Sequence, residues 1–146
     1  MKNIIKISLL LLILQSFNYL YSQDCSDYYT KCKQPSKIFE KSGMSRGFKI
    51  SQGDSSEINL NLYANRTYYI SITGDEILGN IQLILLSAEG DIIYDNSVDE
   101  FKQFIVMTTE IATQLKLQII SQPEVYENQS KTKYCAGVYV AYTSNK

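Results

Sequence analysis

The chain has 146 residues, of which 14 are basic and 15 are acidic, and it contains neither histidine nor tryptophan. Without histidine it has no Ser-His-Asp or Cys-His catalytic arrangement and no His-ligated zinc site. Its most basic stretch, residues 31–41, has four spaced lysines mixed with Glu40, which is too dilute to predict a nucleic-acid partner.

The first 22 residues predict a cleaved signal helix. Lys2 and Lys6 precede the apolar run Ile7–Leu14, and the small residue Ser22 stands just before Gln23. The apolar run is shorter than the ~20 residues that a membrane-spanning helix needs. We therefore expect cleavage between Ser22 and Gln23 and a mature chain without a membrane span. Such a protein is periplasmic, cell-surface or secreted, and it has 12 basic against 15 acidic residues.

Residues 23–45 have no sustained periodicity and predict an irregular lead-in. Cys25 and Cys32 lie in it, and Cys135 lies near the end of the chain. An exported protein with three cysteines is expected to form one bridge and keep one thiol. If the residues between Cys25 and Cys32 were helical, the two would be about 10.5 Å apart, beyond the ~7 Å limit for a bridge. A looped segment would permit a Cys25–Cys32 bridge. We favour this pairing, which leaves Cys135 as the free thiol. The alternative is a bridge from Cys25 or from Cys32 to Cys135.

Residues 46–146 predict one β-sandwich domain. Apolar residues alternate with polar ones in several short runs, and Gly, Asn or Asp stands between the runs. About eight strands at roughly ten-residue spacing predict an all-β fold, an antiparallel β-sandwich or jelly roll. A long loop is expected over Pro123–Lys133. The expected core residues are Leu60, Ile70, Leu83, Leu85 and Leu117.

Turn and core residues of Gly47–Ser97 resemble the bacterial pre-peptidase C-terminal (PPC-like) domain. The matching stretches are Phe48-Lys49-Ile50, Gln52-Gly53-Asp54, Leu60-Asn61-Leu62-Tyr63-Ala64, Tyr68-Tyr69-Ile70-Ser71-Ile72, Leu83-Ile84-Leu85-Leu86 and Glu89-Gly90-Asp91. The resemblance implies a small β-sandwich and says little about function.

The chain from Cys25 onward is also similar to a group of small exported bacterial proteins of unassigned function. The similarity rests on Cys25…Tyr28-Tyr29…Cys32, Ser45-Arg46-Gly47-Phe48, Ile77-Leu78-Gly79, Leu86, Tyr94-Asp95-Asn96 and Cys135-Ala136-Gly137-Val138. In that group a cysteine commonly stands at the position of Thr73, which implies an unpaired Cys135 in this chain.

One acidic cluster is a candidate metal site. Asp95, Asn96, Asp99 and Glu100 could supply oxygen ligands to calcium, although their spacing fits no EF-hand loop. Asp and Asn are also favoured in solvated turns, which is the interpretation that we prefer. We expect neither a bound metal nor a cofactor.

Tyrosines are the candidate binding residues. The chain has 12 of them, and aromatic rings stack on sugars or anchor protein partners, although tyrosine is also a common strand residue. Tyr69 interrupts the alternation next to Tyr68 and Ile70, so we expect it to be exposed. Tyr63 and Tyr94 are the further candidates.

These patterns predict an exported, non-catalytic binding or accessory module whose partner is another protein. A carbohydrate-binding module that uses exposed tyrosines is the alternative, and an enzyme of unrecognised type is the second alternative. A contiguous strip of exposed tyrosines would favour the carbohydrate, and a deep pocket with two facing carboxylates would favour the enzyme.

Overall fold

Two antiparallel sheets form a β-sandwich in the computed structural model, which describes residues 24–122 and 132–144. Within those residues there are nine strands. They are β1 (Glu40–Lys41), β2 (Arg46–Ile50), β3 (Ser55–Leu62), β4 (Arg66–Gly74), β5 (Asn80–Leu86), β6 (Ile92–Asp95), β7 (Phe104–Thr109), β8 (Thr113–Gln122) and β9 (Tyr134–Ser144). The predicted all-β sandwich is confirmed, with nine strands in place of about eight.

Sheet A has the order β1-β9-β4-β7, and β2 pairs with β9 on the same side as β1. Sheet B has the order β3-β8-β5-β6. Three short 3₁₀ helices, Tyr28–Lys31, Glu76–Leu78 and Asn96–Asp99, lie in the connections among the described residues. None of the helices in this part of the chain is long and apolar enough to cross a membrane.

Alternation places the core between the sheets. In β3, for example, every second side chain from Ile58 to Leu62 is buried while the intervening asparagines are exposed. The five expected core residues, Leu60, Ile70, Leu83, Leu85 and Leu117, all have 0% exposure. The apolar strand Asn80–Leu86 lies inside sheet B, between β8 and β6.

Strands β4 and β9 depart from alternation because both of their faces are buried. Every residue of β4 from Tyr68 to Ile72 is buried, and so is every residue of β9 from Cys135 to Ala141. The second face is covered by residues 25–45, named here the covering segment. Apart from the first 3₁₀ helix and β1, this segment has no regular secondary structure.

Two further expectations concern segments at the ends of the described residues. The signal helix and its cleavage site lie outside them, as does most of the loop predicted at Pro123–Lys133.

The strand expected at Phe101–Met107 begins at Phe104 because Glu100 and Phe101 both have positive φ and form a turn.

Truncating a core leucine tests the assignment of the interior. Leu83→Ala should lower the free energy of unfolding by about 2–5 kcal/mol, because it removes a large aliphatic side chain from a packed site. Ile92→Ala is the matched control, since Ile92 is 65% exposed, and its effect should stay within about 0.5 kcal/mol. Chemical denaturation measures both. Equal losses for the two variants would contradict the assignment.

Candidate functional site

The outer face of sheet A is closed by the covering segment. Tyr69 and Ser71 on β4 each donate a hydrogen bond from the hydroxyl to the Lys33 carbonyl, at 3.0 and 2.9 Å. The Tyr69 ring lies 5.9 Å from the Phe39 ring and 5.4 Å from the Phe104 ring. These contacts form a second, smaller apolar cluster outside the main core.

The expectation that Tyr69 is exposed is therefore wrong. Tyr69 does point away from the sandwich core, but its side chain is only 5% exposed. The physical reason is that a segment without periodicity packs on this face. Burial raises the pKa of the Tyr69 hydroxyl, as expected for a phenol removed from water.

Two glycines bring the covering segment close to the sheet. Gly47 on β2 and Gly137 on β9 are register partners. A Cβ on Gly47 would overlap the Cys25 carbonyl oxygen, and one on Gly137 would lie 2.5 Å from the Tyr29 nitrogen. Only residues without a side chain permit this approach of backbone to backbone.

The disulfide joins Cys25 to Cys135, so the favoured Cys25–Cys32 pairing is wrong, and so is the unpaired Cys135. A 3₁₀ helix, Tyr28–Lys31, separates Cys25 from Cys32. The covering segment packs where β2 pairs with β9, and this places Cys25 next to Cys135 on β9. The Cα–Cα distance of the bridge is 5.3 Å, within the usual range. The bridge fastens the start of the covering segment to β9.

Cys32 is the cysteine outside the disulfide. Its thiol is 3% exposed and donates to the Gly137 carbonyl at 3.2 Å. Burial raises the pKa of Cys32 to about 11, and hydrogen bonds from groups that include the backbone of Tyr139 and Thr73 offset only part of this shift. The thiol is thus protonated near neutral pH and inaccessible.

The other two candidate tyrosines are in different surroundings. Tyr63 is 63% exposed, and the Arg66 guanidinium lies 5.0 Å from its ring centroid. Tyr94 is half-buried and packs against the main core. Its pKa is raised by burial and by the nearby carboxylates of Asp99 and Asp95. Because Tyr63 is the one exposed tyrosine in the described residues, they contain no contiguous strip of exposed tyrosines.

The acidic cluster after β6 forms a turn, and two of its members bind protein groups. The buried Asn96 side chain accepts from the Leu83 amide at 2.8 Å and donates to the Ile81 and Lys102 carbonyls at 3.0 and 3.1 Å. Asp95 accepts from Gln82 and from the Ser97 amide. Although partial burial opposes them, these hydrogen bonds lower the pKa of Asp95. Among the residues described, no group of three or more Cys, Asp or Glu side chains could hold a metal ion.

This turn presents an exposed aliphatic surface at the edge of sheet B. Val98 in the 3₁₀ helix Asn96–Asp99 is 87% exposed, and Ile92 and Ile93 on β6 are 65% and 50% exposed. The register of β6 against β5 shifts between Leu85 and Leu86, so that Ile93 has no partner on β5. We name Ile92, Ile93 and Val98 the aliphatic edge.

An open cleft adjoins this edge on the outer face of sheet B. Its volume is about 510 Å³, and its lining includes side chains of three strands and the turn between β5 and β6. Leu86, in the lining, is the register partner of Ile92. The lining residues are Asn59, Asn61, Leu86, Ser87, Ala88, Glu89, Gly90, Gln114, Leu115 and Lys116. We name this space the amide cleft.

Comparisons with known proteins show a weak structural likeness. No protein-family model matches the chain, and no curated protein matches it. The resemblance to the PPC-like domain therefore stays a prediction. Among solved structures, the chain is similar to the Aeromonas hydrophila protein PliG, a periplasmic lysozyme inhibitor of g-type lysozyme. The identity is 13%, the match covers 76% of this chain and 93% of that one, and the TM-score is 0.47. This likeness is too low for the inhibitor's function to be carried over.

Thiol labelling tests the cysteine assignment. We expect native protein without reductant to react slowly with an alkylating reagent, because the Cys32 thiol is buried and protonated. After unfolding without reductant, one thiol per chain should be labelled, and peptide mapping should place the label on Cys32. A label on Cys25 or Cys135 would refute the pairing.

Proposed function

We propose that this chain is an exported binding module of the cell envelope and that its partner is a basic protein, which docks on the aliphatic edge. Export is supported by the signal pattern in residues 1–22 and by the Cys25–Cys135 disulfide, because such bonds persist in oxidising compartments. The observation that carries the docking proposal is the exposure of Val98 on an anchored turn that directly follows the strand of Ile92 and Ile93.

The turn is rigid, and its rigidity favours binding. Asn96 is fully buried and makes three hydrogen bonds to the backbone, while the Asp95 side chain accepts from the Ser97 amide. Val98 is therefore held outward rather than being free to fold back onto the core. A partner that contacts a surface already in its bound conformation loses less conformational entropy on binding.

The three aliphatic residues lie within one short stretch of the chain. Single exposed apolar residues are normal on a protein surface, but a contiguous group indicates an interaction site. Ile92 and Val98 are six residues apart, which limits their separation to roughly 20 Å even in extended chain. A partner that buries about 800 Å² on this side would cover all three.

The residues around the aliphatic edge are acidic, which indicates the charge of the partner. Glu89, Asp91, Asp99 and Glu100 are all exposed. Lys102 pairs with Asp99 at 3.6 Å, and within the described part of the chain no ion pair neutralises the other three carboxylates. An acidic rim attracts a basic surface and raises the rate of encounter with it. A basic protein with an apolar patch is therefore the complementary partner.

The test compares two double variants, each of which replaces two exposed aliphatic residues with serine. In Ile92→Ser/Val98→Ser the aliphatic edge is removed, and in Ile38→Ser/Ile111→Ser two aliphatic residues of similar exposure are removed elsewhere; those two are 68% and 75% exposed. Envelope extract from the cells that make the protein is passed over each immobilised form. The retained protein is identified, and its affinity is measured by calorimetry.

We expect a basic protein that binds the unmutated chain and the control equally and binds the edge variant at least tenfold more weakly. The loss follows from burial of two aliphatic side chains at about 1.5–3 kcal/mol each. Binding should also weaken as salt is added. Retention of the same protein by all three forms, or an acidic partner, would contradict the proposal.

A further inference from the structure

The floor of the amide cleft consists of polar side chains from two paired strands. Asn59 and Asn61 lie on the outer face of β3, and Gln114 and Lys116 lie opposite them on β8. The registers Asn59↔Lys116 and Asn61↔Gln114 place these four side chains next to one another. The cleft volume of about 510 Å³ is within the range of small-molecule sites.

Several hydrogen-bonding groups in the cleft are available to a ligand. Gln114 Nε2 donates a hydrogen bond to Asn61 Oδ1 at 3.0 Å. The side-chain amino group of Asn61 and the side-chain oxygen of Gln114 can therefore bind a ligand. The side-chain amide of Asn59 has no hydrogen-bond partner among the residues described. The cleft therefore presents both donors and acceptors within a few ångströms of each other.

The wall of the cleft is a fixed turn. The Ser87 hydroxyl oxygen accepts from the backbone amides of Glu89 and Asp91, both at 3.2 Å, so that the hydroxyl hydrogen can donate to a ligand. The Ser87 amide donates to the Asp91 carbonyl at 2.8 Å. Leu86 and Ala88 in the lining add apolar surface beside these polar groups.

The charges in the lining nearly cancel. Lys116 pairs with Glu57 at 3.3 Å, and Glu89 is the one carboxylate in the lining as the structure describes it. A strongly charged ligand would therefore find no matching concentration of opposite charge. Paired carboxylates at the separation that glycoside hydrolysis needs are absent from this lining. These features are those of a binding site for a neutral ligand.

From this chemistry we infer that the amide cleft binds a neutral oligosaccharide. Each sugar hydroxyl both donates and accepts hydrogen bonds, and each side-chain amide likewise carries both a donor and an acceptor. Leu86 and Ala88 would contact the C–H face of a ring. This site differs from the tyrosine-based sugar site that the sequence suggests, and it does not depend on the aliphatic edge.

Nuclear magnetic resonance titration tests this inference. Isotope-labelled protein is titrated with cellohexaose, maltohexaose, xylohexaose and chitohexaose, and with an oligogalacturonate as the acidic comparison. We expect at least one neutral oligosaccharide to shift the amide signals of Asn59, Asn61, Gln114 and the Ser87–Gly90 turn. Asn59→Ala/Asn61→Ala should weaken that binding at least tenfold, and Gln114→Ala should weaken it in the same direction.

Asn80→Ala is the matched control, because Asn80 is an exposed asparagine of sheet B outside the cleft. It should bind as the unmutated protein does, and the spectra of all variants report whether the fold is retained. The inference is overturned by no shifts with any neutral oligosaccharide at millimolar concentration, by shifts that lie elsewhere, by stronger binding of the oligogalacturonate, or by unchanged affinity in the two cleft variants. Loss of protein binding at the aliphatic edge would leave this result unaffected.

Discussion

The close approach of the covering segment to Gly47 and Gly137 is the constraint on which the rest of the structure depends. The two glycines are register partners on β2 and β9, and the backbone of residues 25–29 lies directly on them. The Cys25–Cys135 disulfide fastens the segment at that point. The Tyr28 hydroxyl also donates to the Asp75 carboxylate, which accepts from the Cys135 amide. Bridge, hydrogen bonds and glycines thus hold one segment at one place on sheet A.

This constraint determines which surfaces can bind a partner. Once the covering segment lies on sheet A, Tyr69 and Tyr139 are buried and the outer face of β4 and β9 is closed. Sheet B has no such cover in the described residues, and the aliphatic edge and the amide cleft both lie on it. The covering segment therefore closes the outer face of β4 and β9, and both of the sites that we propose lie on sheet B.

Periodicity was sufficient to predict the sandwich and its core. Alternation in β3, β4 and β8 correctly placed Leu60, Ile70 and Leu117 inside. It could not predict that the other face of β4 is buried, because the covering segment has no periodicity of its own. The expectation that Tyr69 is exposed was wrong for the same reason. An outward-pointing side chain is exposed only when nothing packs over it, and sequence alone does not show what packs over it.

The sites were harder to predict because they depend on register and on the position of strands in a sheet. Asn59 and Gln114 look like ordinary wet-face residues until the pairing of β3 with β8 brings them together. Ile92 and Ile93 look like a buried strand, yet β6 is at an edge and its register shifts. Three cysteines permit three pairings, and spacing alone could not exclude Cys25–Cys32 because a looped segment would allow it. Nothing local in the sequence indicates that Cys135 lies next to Cys25, from which it is 110 residues away.

Native-state hydrogen exchange of the covering segment tests this account most directly. The Ser42 amide of the segment donates to the Val140 carbonyl at 2.8 Å, and the Gly47 amide of β2 donates to the segment's Ser26 carbonyl at 3.0 Å. The account predicts that both amides exchange as slowly as amides within β9. Such protection would show that the segment belongs to the folded domain. Exchange of these two amides at the rate of an unfolded chain, with β9 still protected, would contradict the account.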